Sequence, residues 1–230
     1  MISDSDNQSG KTESTYPIIS FISRMVAHFV SVLFTAFIVY TAQPGSSLFS
    51  WHPTLMSIAF LCLLFEGILV FSPQSSLVSS LSRKAKLTAH WLFQVSALTF
   101  AVSGFLVIWY NKHLNNSNHF TTWHGLCGVV TVGYLFVQIM GGILGKYPQI
   151  LNIFRIKVRL ADLKIVHATS GLLAYLLVSI TFMLAMFSTW FTSNITGTTW
   201  FGCFGCISCL ALIVMNQVTT AYLPSGRPAK

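Results

Sequence analysis

The sequence predicts an all-α integral membrane protein, a bundle of six helices that each cross the bilayer. Three observations carry that reading. Only 8% of the residues are charged and 53% are hydrophobic, whereas soluble domains hold about 25% charged residues. So few charges cannot coat a water-facing surface. Six apolar runs, roughly 25–42, 52–71, 87–109, 124–144, 165–187 and 200–219, each come near the ~20 residues a helix needs to span about 30 Å of hydrocarbon. The period-two alternation of a membrane barrel is absent, and lipid offers an open backbone no partners, so helices remain.

Taken in order, residues 1–20 form a polar tail without the early apolar core of a signal peptide. The first run then ends at Pro44-Gly45 and the second at Ser72-Pro73. An Asn-rich stretch, 111–118, follows the third, and Tyr147-Pro148 follows the fourth. Asn194 to Gly197 separates the fifth from the sixth. Each separator carries turn chemistry, and none is long enough for a second domain.

Charge sets the expected orientation. The net charge of +8 could suggest nucleic acid, but the basic residues lie between apolar runs, an arrangement of cytoplasmic loops rather than of a DNA-binding face. The 72–86 connection holds Arg83, Lys84 and Lys86; the 145–164 connection holds Lys146, Arg155, Lys157, Arg159 and Lys164 against Asp162. The remaining connections, 43–51, 111–122 and 188–199, hold Lys112 as their one basic residue. The positive-inside rule puts the basic connections, and both termini, in the cytoplasm. Sequons at Asn115 and Asn194 fall on the opposite side. Trp51, Trp109, Trp123, Trp190 and Trp200 fall there too, as an aromatic belt. The five cysteines give no disulfide framework. Cys203, Cys206 and Cys209 lie inside an apolar run and read as small packing residues.

Four of the seven histidines stand at helix starts: His52, His90, His124 and His167. One histidine near a membrane surface is ordinarily a capping or snorkelling side chain. Four at matching positions on consecutive helices form a pattern. Helices two and four start on the outer side, so His52 and His124 share a depth there. Helices three and five start on the cytoplasmic side, so His90 and His167 share the other depth. Two pairs, one near each surface, suit two bis-imidazole iron sites, built from facing side chains in a four-helix di-haem core. Gly128 and Gly171 each follow a histidine by four residues, on the same helix face, and leave room for a planar ligand. Glu66 and Gln138 each stand fourteen residues after an outer histidine. A regular helix returns them to roughly the same face about 21 Å deeper. Glu66 is the one acid within the six runs, and an intramembrane acid is a functional candidate by default, as a proton acceptor or a haem-propionate neighbour. No C-x-x-C-H occurs, so the haems would be non-covalent. Zinc fits poorly, since it needs a compact set of four donors.

The runs PGSSLFSWHPTLMSIAF (44–60), SRKAKLTAHW (82–91), WHGLCG (123–128) and KIVHATSGL (164–172) resemble the cytochrome b561 family. The similarity is greatest to its short, single-domain branch. It divides the chain into a polar cytoplasmic tail (1–20), a six-helix b561-type domain (21–223) and a second cytoplasmic tail (224–230). It implies two b haems, with His52 paired to His124 and His90 to His167. It also implies an electron taken from cytoplasmic ascorbate and delivered to monodehydroascorbate or a ferric chelate on the lumenal or exterior side. A basic donor site is implied just before the inner histidines, matched here by Arg83, Lys86 and Lys164 and more loosely by Arg159. The family's outer site often includes a histidine of the third connection, and both His113 and His119 are available. Lipid is the expected surround, with no nucleic-acid partner; a homodimer is compatible with the sequence. An endomembrane, endoplasmic reticulum or vesicle, is expected ahead of the plasma membrane. Two other functions fit the same residues: a proton-coupled transporter with a His/Glu66 relay, or a haem-bearing sensor or scaffold without turnover.

Overall fold

The computed structural model describes residues 25–72, 75–153, 155 and 157–222. The two expected tails, 1–20 and 224–230, lie outside these residues, as does Pro73 of the second turn. Among the described residues there is no strand, and six helices are long and apolar enough to cross a membrane. They are α1 (Met25–Ala42), α2 (Trp51–Leu69), α3 (Arg83–Leu114), α4 (Trp123–Lys146), α6 (Leu160–Ala185) and α8 (Gly197–Tyr222). Two short helices join them, α5 (Gln149–Ile153) and α7 (Thr189–Asn194). Many large apolar side chains face outward, among them Phe29, Leu33, Val137, Val166 and Phe201. Such a surface needs lipid rather than water around it.

The helices run further than the apolar windows indicate. The Ser82 side chain accepts from Ala85 N at 3.3 Å and caps α3, so Arg83, Lys84 and Lys86 lie on a helix rather than in a loop. The helix continues through 111–114, the start of the Asn-rich stretch. Its 32 residues extend about 48 Å, well beyond the hydrocarbon. Likewise α6 begins at Leu160, five residues before the apolar run. The Pro44-Gly45 turn forms as expected, with Gly45 at φ 95°, a conformation that suits glycine.

Core packing centres on α2. Its Ala59, Phe60, Leu61, Leu64, Phe65 and Leu69 are buried against Phe34 and Ile38 of α1, Ala97 and Ala101 of α3, Tyr175 and Val178 of α6 and Leu210 and Val214 of α8. Cys203 is part of this core, and all five cysteines are free. The middle of α2, Ile58–Leu64, is a π-helix. Polar side chains from neighbouring helices bond its freed carbonyls and those just after it. The Ser31 hydroxyl donates to Leu61 O at 2.6 Å, and the Gln217 amide donates to Ile68 O at 2.8 Å. A π turn takes up an extra residue, which sets Glu66 back by roughly 100° from regular phase. Glu66 therefore leaves the His52 face. This corrects the regular-helix expectation.

Candidate functional site

The five belt tryptophans gather at one end of the bundle, at the starts of α2, α4 and α8, the end of α3, and on α7. Among the described residues, all the lysines and arginines except Lys112 gather at the other. At the tryptophan end, His52 of α2 and His124 of α4 face each other, with ring centroids 6.1 Å apart and planes at 73°. At the basic end, His90 of α3 and His167 of α6 do the same at 6.4 Å and 83°. Two imidazoles on one metal, with bonds of about 2.0–2.1 Å, put their ring centres roughly 6 Å apart. Each pair therefore has room for one metal atom between its rings.

Three of these rings are fixed by main-chain carbonyls of neighbouring helices. The Nδ1 of His52 lies 3.0 Å from Gly104 O, that of His90 2.7 Å from Gly67 O, and that of His124 3.0 Å from Thr181 O. A carbonyl only accepts, so each Nδ1 carries the hydrogen and each Nε2 keeps its lone pair for a metal. His167 differs. Gln138 of α4 donates through Nε2 to His167 O at 2.7 Å and approaches His167 Nδ1 at 3.2 Å. Its amide is oriented by Ser170, whose hydroxyl donates to Oε1 at 2.7 Å.

A cavity of about 290 Å³ opens beside His52 and His124, lined by Gly125, Gly128, Phe182 and Trp109 among others. Gly128 faces it, and a Cβ there would come no nearer than 3.7 Å to Thr181. A side chain at Gly142 would meet His167 Cε1 at 3.1 Å, so this glycine gives the basic-end ring its space. Gly171 does something else: a Cβ there would lie 2.9 Å from Gln138 Nε2, so Gln138 occupies its space. Among the described residues, no three His, Cys, Asp or Glu side chains converge to hold a metal. Each histidine pair offers two nitrogen donors. A porphyrin, which brings four equatorial nitrogens of its own, fits that donor set.

The other candidates divide. Arg83 and Lys164 are exposed and Lys86 is half-buried near the basic-end pair. Arg159 is engaged elsewhere: its Nε and Nη2 both donate to Asp162 at 2.8 Å. Those bonds push its guanidinium further above an already high pKa. Lys146, read from sequence as an orientation charge, lies 4.6 Å over the Trp91 ring, adjacent in sequence to His90. At the opposite end His113 and His119 both stack on Trp109, at 5.8 and 5.6 Å. His119, with Lys112, lines the cavity; His113 is exposed outside it.

Glu66 joins neither pair. Its Oε2 lies 2.7 Å from Nδ1 of His28 on α1, a histidine that sequence reasoning passes over. No spacing rule links residues 38 positions apart. The signal available was weak: an unassigned histidine and the one acid, both in apolar runs. The carbonyls of Gly67, Gly104 and Thr181 were equally hidden, because a main-chain acceptor has no residue-type signature.

Residues 51–192 match the family model of eukaryotic cytochrome b561. The chain is 44% identical over 214 residues to the transmembrane reductase CYB561D2 of Bos taurus, covering 93% of this chain and 95% of that protein. To the Homo sapiens protein of the same name it is 44% identical over 216 residues, 94% and 96% of the two chains. To the probable transmembrane reductase CYB561D1 of Mus musculus it is 37% identical over 202 residues, 88% and 86%.

Proposed function

The chain belongs to the eukaryotic cytochrome b561 family and is a transmembrane oxidoreductase that works with haem b; we propose that it carries electrons from cytoplasmic ascorbate to monodehydroascorbate or a ferric chelate across the bilayer. The observation that carries this reading is the pair of facing imidazole couples at opposite ends of one bundle, each spaced for a metal. His52 and His124 hold one haem b and His90 and His167 the other. The haems supply one-electron chemistry at each membrane face.

The protein supplies orientation and charge. Hydrogen bonds from Nδ1 of His52, His90 and His124 lock their rings and leave Nε2 as the nitrogen that would hold a haem iron. The basic end is the cytoplasmic one by the positive-inside rule. There Arg83, Lys86 and Lys164 attract an anionic donor to the edge of the His90–His167 site, and Lys146 closes it from α4. Arg159 has a lesser part, because Asp162 already fills its guanidinium fork. At the far end His119 and Trp109, which line the cavity beside His52 and His124, present the surface against which the acceptor docks. The outer connections hold no carboxylate, so the acceptor is a chelate or an organic radical rather than a bare, caged ferric ion.

A haem-free relay has less support: the four histidines stand as separated couples, and Glu66 bonds none of them. Vesicles carrying the purified protein and loaded with ascorbate test the reading. Added ferric chelate is expected to be reduced outside while external ascorbate oxidase leaves the rate unchanged. Haem-replete vesicles without turnover would favour a sensor or scaffold. Reagent accessibility at Asn115 and Asn194 checks the direction, since both must face away from the cytoplasm.

A further inference from the structure

Glu66 and His28 are a buried acid–base pair that the electron-transfer account does not use. Both are mostly buried, with side chains 15% and 12% exposed. The His28 ring is held at both nitrogens: Nε2 lies 2.8 Å from Ser75 O, and Nδ1 lies 2.7 Å from Glu66 Oε2. The carbonyl can only accept, so Nε2 carries a hydrogen. The second contact then needs one proton, on either Nδ1 or Oε2. Without it, a nitrogen lone pair and a carboxylate oxygen would face each other at 2.7 Å and the contact would have to open. The other carboxylate oxygen, Oε1, is buried with no hydrogen-bond partner among the described residues. Full ionisation of Glu66 without its proton partner would therefore leave an uncompensated charge inside the bundle.

The position of the pair matters as much as its chemistry. Gly67, the next residue, accepts the hydrogen bond from His90 Nδ1. The dyad thus sits one peptide unit from the carbonyl that fixes a basic-end histidine. Its other end bonds the 75–82 connection, at the basic surface. Titratable neighbours are few among the described residues. Cys62 on α2 and Tyr175 from α6 are within electrostatic reach of Glu66, and Cys209 of α8 within that of Tyr175. From α3, the neutral Gln94 amide lies beside Gly67 and His90 bonds the Gly67 carbonyl. Thiols and phenols are ordinarily neutral near pH 7, so among these side chains, the proposed ligand His90 aside, the dyad is able to gain or lose charge.

We propose that His28 and Glu66 form an intramembrane proton site coupled to the basic-end redox centre. An electron arriving from the donor adds one negative charge near the dyad, and one proton from water at the basic surface is taken up between Nδ1 and Oε2. When the electron moves on, that proton returns to the same side. Charge in the low-dielectric interior is thereby balanced at each step. The inference rests on the reading that His90 and His167 hold a haem.

Redox titration of each haem between pH 6 and 9, in the full-length protein, tests the coupling, with haem content read independently from the absorption spectrum. The basic-end potential is expected to fall with pH, approaching about 59 mV per tenfold change in proton activity. The far haem is expected to stay nearly flat. Glu66→Gln and His28→Gln keep the size and polarity of each side chain and are expected to abolish the slope while retaining both haems. A flat basic-end potential in the unmodified protein, or a full slope in either variant, overturns the proposal. Should a variant lose its basic-end haem, proton uptake by the unmodified protein on reduction in weak buffer decides. Close to one proton per basic-end electron near the steepest part of the slope supports the site, and none refutes it. Absence of a basic-end haem in the unmodified protein would instead overturn the haem reading.

Discussion

Gln138 of α4 donates to the main-chain carbonyl of His167 on α6 at 2.7 Å, and the same nitrogen stands 3.2 Å from the His167 ring. The other three paired histidines each meet a carbonyl at Nδ1; His167 meets an amide donor. With an N–H pointing at it, Nδ1 of His167 accepts, and the hydrogen resides on Nε2. Binding a metal through Nε2 would reverse that tautomer and turn the Gln138 contact unfavourable. The two histidine couples are therefore chemically unequal.

Replacing Gln138 by Glu supplies an acceptor for Nδ1–H and raises the basicity of the ligand. The midpoint potential of the basic-end haem is expected to fall by about 60–120 mV. That is the one-electron equivalent of a 10–100-fold change in preference for the oxidised state. The far haem should not move. Potentiometric titration followed optically checks this.

The proposed donor site rests on Lys86 and Lys164 and much less on Arg159, which Asp162 engages. Loss of one charge-assisted hydrogen bond costs about 1.5–3 kcal/mol, roughly one to two orders of magnitude in affinity. The Lys86→Ala/Lys164→Ala pair is expected to slow reduction by ascorbate at least tenfold with dithionite-reduced spectra unchanged. Arg159→Ala should alter the rate less than threefold. Stopped-flow absorbance separates the two outcomes.

At the far face, cavity geometry distinguishes two histidines that sequence leaves equivalent. His119 lines the cavity and His113 does not, although both stack on Trp109. His119→Ala is expected to lower ferric-chelate reduction several-fold at constant haem content, and His113→Ala to leave it within about twofold. Loss of an imidazole contact worth about 1 kcal/mol gives a change of that order. Vesicle assays with each variant measure it.

The six spans are legible because lipid imposes a length and a composition that windows of sequence detect. Their ends are less so. Ser82 and Arg159 begin helices that carry charges, and a hydropathy window reads charge as loop. The short α5 and α7 fall below any periodic signal. Histidine spacing is legible because each helix carries its own residue at its own start. The phase of Glu66 is not, because the π-helix between Ile58 and Leu64, one carbonyl of which bonds Ser31 of another helix, has no residue-type signature. Long-range partners such as His28 and Gly67 become visible only when the helices are packed.

In the proposed function His52 pairs with His124 and His90 with His167 to hold two separate haems. Haem quantitation and low-temperature spectra of the four single His→Ala variants test it most directly. Two haems per chain are expected in the unmodified protein. His52→Ala and His124→Ala should lose one spectral component, and His90→Ala and His167→Ala the other, each sparing at least part of the remaining site. If His52→Ala and His90→Ala left the same residual spectrum, or the unmodified chain bound a single haem, the pairing would be wrong.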